Sequence, residues 1–92
     1  MIDEINKEIE KFLSSIVNNK KNINSIIKKC STSISDDLKK GHITSNVCMV
    51  AASILKLNPN NLAEHLKTRL EKIDKFASVE VAGPGFVNIS LN

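Results

Sequence analysis

The feature that most constrains the fold is a pair of alternating segments around a Gly-Pro-Gly turn in residues 79–91. Side chains on a β-strand point alternately to opposite faces. The aliphatic residues on both sides of the turn therefore share one face, which predicts a β-hairpin that covers an apolar core. The aliphatic set is Val79, Val81, Val87, Ile89 and Leu91.

The opposite face of the predicted hairpin carries an aromatic ring, Phe86, and an amide, Asn88. An unpaired RNA base can stack on an aromatic ring while an amide hydrogen-bonds its edge. In the other interpretation, Phe86 packs under a helix or loop and Asn88 caps a turn. The residue pattern alone leaves both interpretations open.

Three segments before the hairpin have the amphipathic spacing of α-helices. The first covers residues 2–17, and a stretch rich in Asn and Lys at residues 18–22 should end it. The second starts after a cap residue, which is Thr44, Ser45 or Asn46. The third starts at the Asn-Pro pair, residues 58–59, because proline is well suited to the first helical position.

Weaker patterns predict a short helical turn around residues 23–27, an edge strand within residues 29–34 and a polar loop at residues 36–41. The whole chain, residues 1–92, is expected to be one α+β domain, a small antiparallel sheet packed against several helices. The helical residues expected to cover the aliphatic face of the hairpin are Ile9, Phe12, Val50, Ile54, Leu66 and Leu70.

Composition is that of an ordinary globular domain, with 41% hydrophobic and 25% charged residues. No apolar run reaches the roughly 18 residues that a membrane span needs, and the N-terminus has no signal-peptide pattern. We therefore expect no membrane association and a cytoplasmic location. The net charge of +3 permits binding to a polyanion. Solvated surface charge is the default interpretation of lysine pairs such as Lys39 and Lys40, and sequence-independent phosphate contact is their candidate use.

Catalytic and metal-binding patterns are missing from the sequence. Cys30 and Cys48, with His42 and His65, match no zinc-ligand spacing, so we expect reduced thiols and no metal. The acidic pair at residues 36–37 has no apolar residues around it in the sequence, so we interpret it as solvated surface. Neither a nucleophile elbow nor a phosphate-binding loop occurs in the sequence. We therefore predict no catalytic residue in this chain.

Three stretches, residues 41–51, 58–59 and 79–89, resemble the N-terminal additional domain of arginyl-tRNA synthetases. The most specific part is Ala-Gly-Pro-Gly-Phe, followed by an aliphatic residue and Asn. The resemblance implies a small antiparallel sheet with helices that precedes the catalytic domain and contacts the D-loop corner of the tRNA. It places the base-contacting aromatic and amide on Phe86 and Asn88, with their backbone set by the turn Gly83, Pro84 and Gly85.

One departure from the family pattern is Gly41-His42-Ile43, where the family usually has Gly-Asp-Tyr. The resemblance implies an ATP-dependent ligase that joins arginine to its tRNA, with ATP and Mg in the catalytic domain. The His-Ile-Gly-His and Lys-Met-Ser-Lys signatures of that domain are absent. The expectation is thus a fragment without catalytic activity or a cofactor of its own, whose partners are arginine tRNA isoacceptors and the remaining domains of the enzyme. The alternative is a free-standing protein-interaction module with no RNA role.

Overall fold

The computed structural model describes residues 2–34 and 42–91. They form four helices and one four-stranded antiparallel sheet with the strand order β1-β2-β4-β3. The predicted α+β class is therefore confirmed. The elements in chain order are α1 (Ile2–Ile16), α2 (Lys20–Lys29), β1 (Thr32–Ile34), β2 (Ile43–Ser45), α3 (Val47–Leu55), α4 (Pro59–Leu70), β3 (Phe76–Ala82) and β4 (Phe86–Leu91).

The C-terminal hairpin forms with the predicted facing. Val79 pairs with Ile89 across β3 and β4, and Val87 and Ile89 have no exposed surface. They belong to one buried core with helical side chains, among them Phe12 and Leu66. Burying a side chain of this size stabilises the fold by about 1.5–3 kcal/mol. The remaining predicted members are buried or partly buried in the same core: Ile9, Val50, Ile54, Leu70, Val81 and Leu91.

The start of α4 is capped as the Asn-Pro pair predicts. The Asn58 side-chain oxygen accepts hydrogen bonds from the backbone N–H groups of Asn60 and Asn61, at 2.9 and 3.1 Å. These are two of the donors that a helix N-terminus leaves without an internal partner. Pro59 occupies the first turn, where its missing N–H costs nothing.

The expected break at residues 18–22 is only half correct. Helix α1 ends at Ile16, but α2 already begins at Lys20 and is longer than the single turn expected. The cause is Asn19, whose side chain accepts from the N–H of Lys21 at 2.9 Å. An Asn that interrupts one helix is also a preferred cap for the next. The expected edge strand is correspondingly shorter, because residues up to Lys29 are helical.

Strand β2 was not predicted, and it leads directly into α3. Its central residue, Thr44, is partly exposed, whereas Ile43 and Ser45 are buried. The Ser45 hydroxyl accepts from the N–H of Val47, the first residue of α3, at 3.3 Å, while Asn46, at the N-cap position, forms no capping bond with its side chain. Asn46 instead accepts from the N–H of Ser31 at 2.7 Å and thereby ties the start of β1 to α3.

The turn of the hairpin is seated on the N-terminal ends of α3 and α4. Gly85 is buried with φ of 102°, a conformation that residues with a side chain rarely adopt. A Cβ there would lie 2.9 Å from the Cβ of Pro59 and 3.1 Å from the backbone N of Met49. The backbone of the turn thus approaches the helices at a distance that only glycine allows.

No helix within residues 2–34 and 42–91 is long and apolar enough to cross a membrane. Both cysteines are free thiols. Burial raises the pKa of Cys48 to about 12, and partial burial also raises the pKa of Cys30. In the described part of the chain, no cluster of His, Cys, Asp or Glu is suited to hold a metal ion.

Candidate nucleic-acid interface

The polar side of the sheet faces away from the helical core. Strand register aligns four residues across it, with Asn88 opposite Thr44 on one side and Glu80 on the other. Ser33 lies beyond Thr44, on the edge strand β1. Side chains directly opposite each other on neighbouring antiparallel strands have Cβ atoms about 4.5–5.5 Å apart. We call this surface the outer sheet face; its members are Ser33, Thr44, Glu80, Ala82, Phe86 and Asn88.

Phe86 is the aromatic residue of the outer sheet face. It is half-buried and pairs with Ala82 across the hairpin. A Cβ placed on Gly83 would lie 3.5 Å from Cδ2 of the Phe86 ring, so the edge of the ring rests beside this glycine. Part of the ring lines a depression of about 230 Å³. Pockets for drug-sized ligands are larger, about 300–1,000 Å³, so the depression has room for only a small group.

Asn88 also lines the depression, together with Thr44. The hydroxyl of Thr44 donates a hydrogen bond to Oδ1 of Asn88 at 3.1 Å. This contact uses one of the two lone pairs of Oδ1 and leaves the two N–H donors of Nδ2. Those donors have no protein partner among the described residues. The side chain is therefore held in the middle of β4, with its donor end available.

His42 has a local structural role. Its backbone N–H donates to the carbonyl oxygen of Ile89 at 2.8 Å, and its Nδ1 accepts from the N–H of Leu91 at 2.8 Å. The two bonds extend the pairing of β2 and β4 beyond Ile43.

Charge on the outer sheet face is negative where the structure describes it. Glu80 is the only charged member, and it forms no ion pair with a described residue. Lys39 and Lys40 lie outside the described residues, as does the acidic pair at residues 36–37. Of the three turn residues predicted as part of the site, Gly83 lines the depression, Pro84 is exposed and Gly85 is buried against the helices.

Thr44 is a member of the candidate site that the sequence did not reveal. It was considered only as a helix cap, whereas it lies on β2 and contacts a residue 44 positions later in the chain. Glu80 lies beside Asn88 on the same face, as the register of β3 and β4 shows. The signal for both is the pairing of strands, which a local pattern does not carry.

A second, larger cleft of about 460 Å³ lies between α1, the end of α2 and β1. Its lining combines acidic and basic side chains, including Asp3, Lys7 and Glu10, with Cys30 and Thr32. The raised pKa of Cys30 disfavours the thiolate, which is the reactive form. This cleft therefore has no evident chemistry and lies on the helical side of the molecule.

Sequence comparison relates the chain to arginine–tRNA ligases. The protein from Azorhizobium caulinodans is 43% identical over 56 residues, covering 61% of this chain and 10% of that protein. The Psychrobacter sp. protein is 48% identical over 52 residues, covering 56% and 8%. The Bartonella henselae protein is 37% identical over 86 residues, covering 92% of this chain and 15% of that protein.

The chain thus corresponds to a small part of the length of these relatives. Their shared name, arginine–tRNA ligase, agrees with the resemblance that residues 79–89 carry. A profile of the family described as "Arginyl tRNA synthetase N terminal domain" matches residues 3–91, nearly the whole chain. The chain therefore belongs to the arginyl-tRNA synthetase N-terminal domain family.

Proposed function

We propose that this chain is the tRNA-binding N-terminal domain of an arginine–tRNA ligase and contacts the D-loop of arginine tRNA. The observation that carries the proposal is that a partly exposed ring, Phe86, and an amide held by a hydrogen bond, Asn88, line the same depression. Family membership supports the same partner. Residues 1–92 act as one domain in this proposal.

The mechanism is recognition rather than catalysis. An unpaired base stacks on Phe86, and the Nδ2 group of Asn88 donates to an acceptor on the edge of the base. The close contact of Gly85 with α3 and α4 fixes the hairpin and hence the position of both side chains. Lys39 and Lys40 attract the phosphate backbone without selecting a sequence.

The remaining domains of the enzyme supply the chemistry. They use ATP and Mg to attach arginine to the tRNA in the cytoplasm, while this domain holds no cofactor. Its contribution is to bind and orient the tRNA. Removal of the base contacts should accordingly weaken tRNA binding and leave arginine activation with ATP unchanged.

The test is tRNA affinity as a function of salt in the full-length gene product. Stacking of one base is worth about 1–3 kcal/mol, so Phe86→Ala should weaken binding by about 5- to 150-fold. Asn88→Ala should weaken it as well, and neither change should alter the salt dependence. Each phosphate contact contributes about 0.7–0.9 to the log–log salt slope, so Lys39→Ala and Lys40→Ala should flatten the slope.

A matched control is Ser78→Ala, an exposed residue two positions from Glu80 on the same strand. It should leave both affinity and slope unchanged. Circular dichroism and thermal unfolding establish that each variant is folded. Unchanged affinity for arginine tRNA in a folded Phe86→Ala, Asn88→Ala double variant would show that the outer sheet face does not bind the tRNA.

A further inference from the structure

We infer that the core face of β1 and the cleft beside it form the surface on which the rest of the gene product packs against this domain. The inference rests on the proposed function, because it requires further domains after β4. The partner is an apolar segment of the same polypeptide that follows β4. It covers Ile34 and closes the cleft that Ile27 and Cys30 line.

The first observation is an aliphatic row that crosses all four strands. Ile34 pairs with Ile43. Ile43 in turn pairs with Ile89, and Ile89 pairs with Val79. Direct partners on neighbouring antiparallel strands point to the same face, so all four side chains lie on the core face of the sheet. Three of them are at most 2% exposed, whereas Ile34, at 71%, is the most exposed large apolar side chain of the described residues. The helices thus cover β2, β4 and β3 and leave the end of β1 open.

The second observation is that the cleft of about 460 Å³ lies over the same face of β1. Thr32 lines this cleft and lies two residues before Ile34, so both point to the same side of the strand. Ile9 and Ile27 contribute apolar surface from α1 and α2. A single exposed isoleucine needs no partner, but one that continues an apolar cleft forms a contiguous patch, and such patches mark interaction sites.

The third observation is the free edge of β1. The N–H of Asn46 donates to the carbonyl oxygen of Ser31 at 3.1 Å. Backbone groups alternate in direction along an antiparallel ladder, so those of Thr32 and Ile34 point away from β2. No strand of the described chain pairs with this edge. An unpaired edge is a place where another segment can add hydrogen bonds to its apolar contacts.

Charge and size favour a segment of the same polypeptide over other occupants. The charged lining of the cleft consists of Asp3, Glu10 and Lys7, which disfavours a phosphate backbone. A second copy would have to pair through an edge of only three residues, whereas stable interfaces between separate chains bury roughly 1,000 Å² or more. A tethered segment needs less contact area, because the tether raises its effective concentration to about the millimolar range.

The direction of the strands brings the following segment to this surface. Strands β1 and β4 are both antiparallel to β2, so they end at the same edge of the sheet. Ile34 is level with Ile89, and β4 ends two residues later at Leu91. Only β2 separates the two strands, which places them about 10 Å apart. The polypeptide that leaves β4 therefore reaches Ile34 within about three extended residues.

The test places a photoreactive benzophenone side chain at residue 34 of the full-length gene product. Mass spectrometry of the irradiated protein identifies the crosslinked peptide. We expect an intramolecular crosslink to a peptide that follows residue 92. The same group at residue 16, which is exposed at the end of α1 and outside the cleft, is the control and should not reach that peptide. A crosslink to residues 35–41, a crosslink between two copies, or no crosslink would overturn the inference.

The thiol of Cys30 provides an independent measurement, because it lines the cleft. In the full-length gene product, Ile34→Lys should raise the rate at which a thiol reagent modifies Cys30 by about 5- to 30-fold. This factor corresponds to about 1–2 kcal/mol for covering most of one isoleucine side chain. Ile16→Lys is the matched control and should leave the rate unchanged. Circular dichroism establishes that both variants are folded, and an unchanged rate in Ile34→Lys would reject the inference.

Failure of the proposed function has a different signature. The affinity for arginine tRNA reports on the outer sheet face, whereas the crosslink and the modification of Cys30 report on β1 without tRNA. A gene product that forms the crosslink but whose tRNA affinity is unchanged in the Phe86 and Asn88 double variant would reject the proposed function alone. One that loses affinity in that variant but forms no crosslink would reject only the docking surface.

Discussion

Substitution of Gly85 by alanine tests whether the hairpin is positioned by its contact with the helices. The added Cβ would meet the Cβ of Pro59 at 2.9 Å and the N and Cα atoms of Met49 at 3.1 and 3.3 Å. Two of these three neighbours are backbone atoms of α3, which cannot swing aside as a flexible side chain does. Gly83 is a matched control in the same turn, since a Cβ there meets, among the described residues, only Phe86 Cδ2 at 3.5 Å.

The expected cost follows from two contributions. A residue held in a sparsely populated backbone region costs about 1–3 kcal/mol, and φ at Gly85 is 102°. An extra methyl group forced into a packed site costs about another 1–3 kcal/mol. Gly83→Ala has only the backbone cost, about 1–2 kcal/mol, because φ of 56° is in the left-handed helical region.

A domain of this size is stable by about 5–14 kcal/mol, so Gly85→Ala should remove a large part of its free energy of unfolding. Urea unfolding followed by circular dichroism measures the effect. The extra cost of about 1–3 kcal/mol, divided by an m-value of about 1–3 kcal/mol per M, should place the midpoint of Gly85→Ala about 0.3–3 M below that of Gly83→Ala. Equal midpoints for the two variants would refute the close approach of the turn to α3 and α4.

Three further outcomes are expected. Asn58→Ala removes the cap of α4 and should lower the free energy of unfolding by about 0.5–2 kcal/mol, measured by urea unfolding against Asn60→Ala as the control. In the native protein a thiol reagent at pH 8 should modify Cys30 before Cys48, because Cys48 is fully buried. Burial raises the pKa of Cys48 from 9.0 to about 12. The free energy of unfolding should therefore decrease from pH 9 to pH 12, by up to about 1.4 kcal/mol per pH unit, and this decrease should be absent in Cys48→Ala.

The sign of the pH effect comes from proton binding. Between pH 9 and pH 12 the thiol of Cys48 keeps its proton in the folded chain and loses it in the unfolded chain. Rising pH in this interval therefore favours unfolding. A pH profile of Cys48→Ala parallel to that of the wild type would show that the buried thiol does not contribute.

The sequence predicted the features that depend on neighbouring residues. The alternation of Val87 with Asn88 set the two faces of β4, and Asn58 before Pro59 marked the start of α4. Both signals depend on a few neighbouring residues, so they can be recognised without knowledge of the tertiary contacts. The stretch that contains Asn19 was predicted to end α1, but the capping of α2 by the Asn19 side chain was not predicted.

Long-range contacts cannot be predicted from local sequence patterns. Strand β2 has three residues, too few for a periodic pattern, and its partner β4 lies more than forty residues later. The contact of Thr44 with Asn88 depends on that pairing, as does the bond from Leu91 to His42. Each of these contacts is set by the register of the assembled sheet rather than by local preference.

Strand β4 joins the core and the candidate site in one segment. Val87 and Ile89 are fully buried, and the residue between them, Asn88, belongs to the outer sheet face. A shift of one residue in register would exchange these faces, placing an amide in the core and an aliphatic side chain in the depression. Burial of the two aliphatic residues therefore fixes the position of Asn88 as well as the fold. The same packing that stabilises the domain sets the geometry with which it presents its ring and amide.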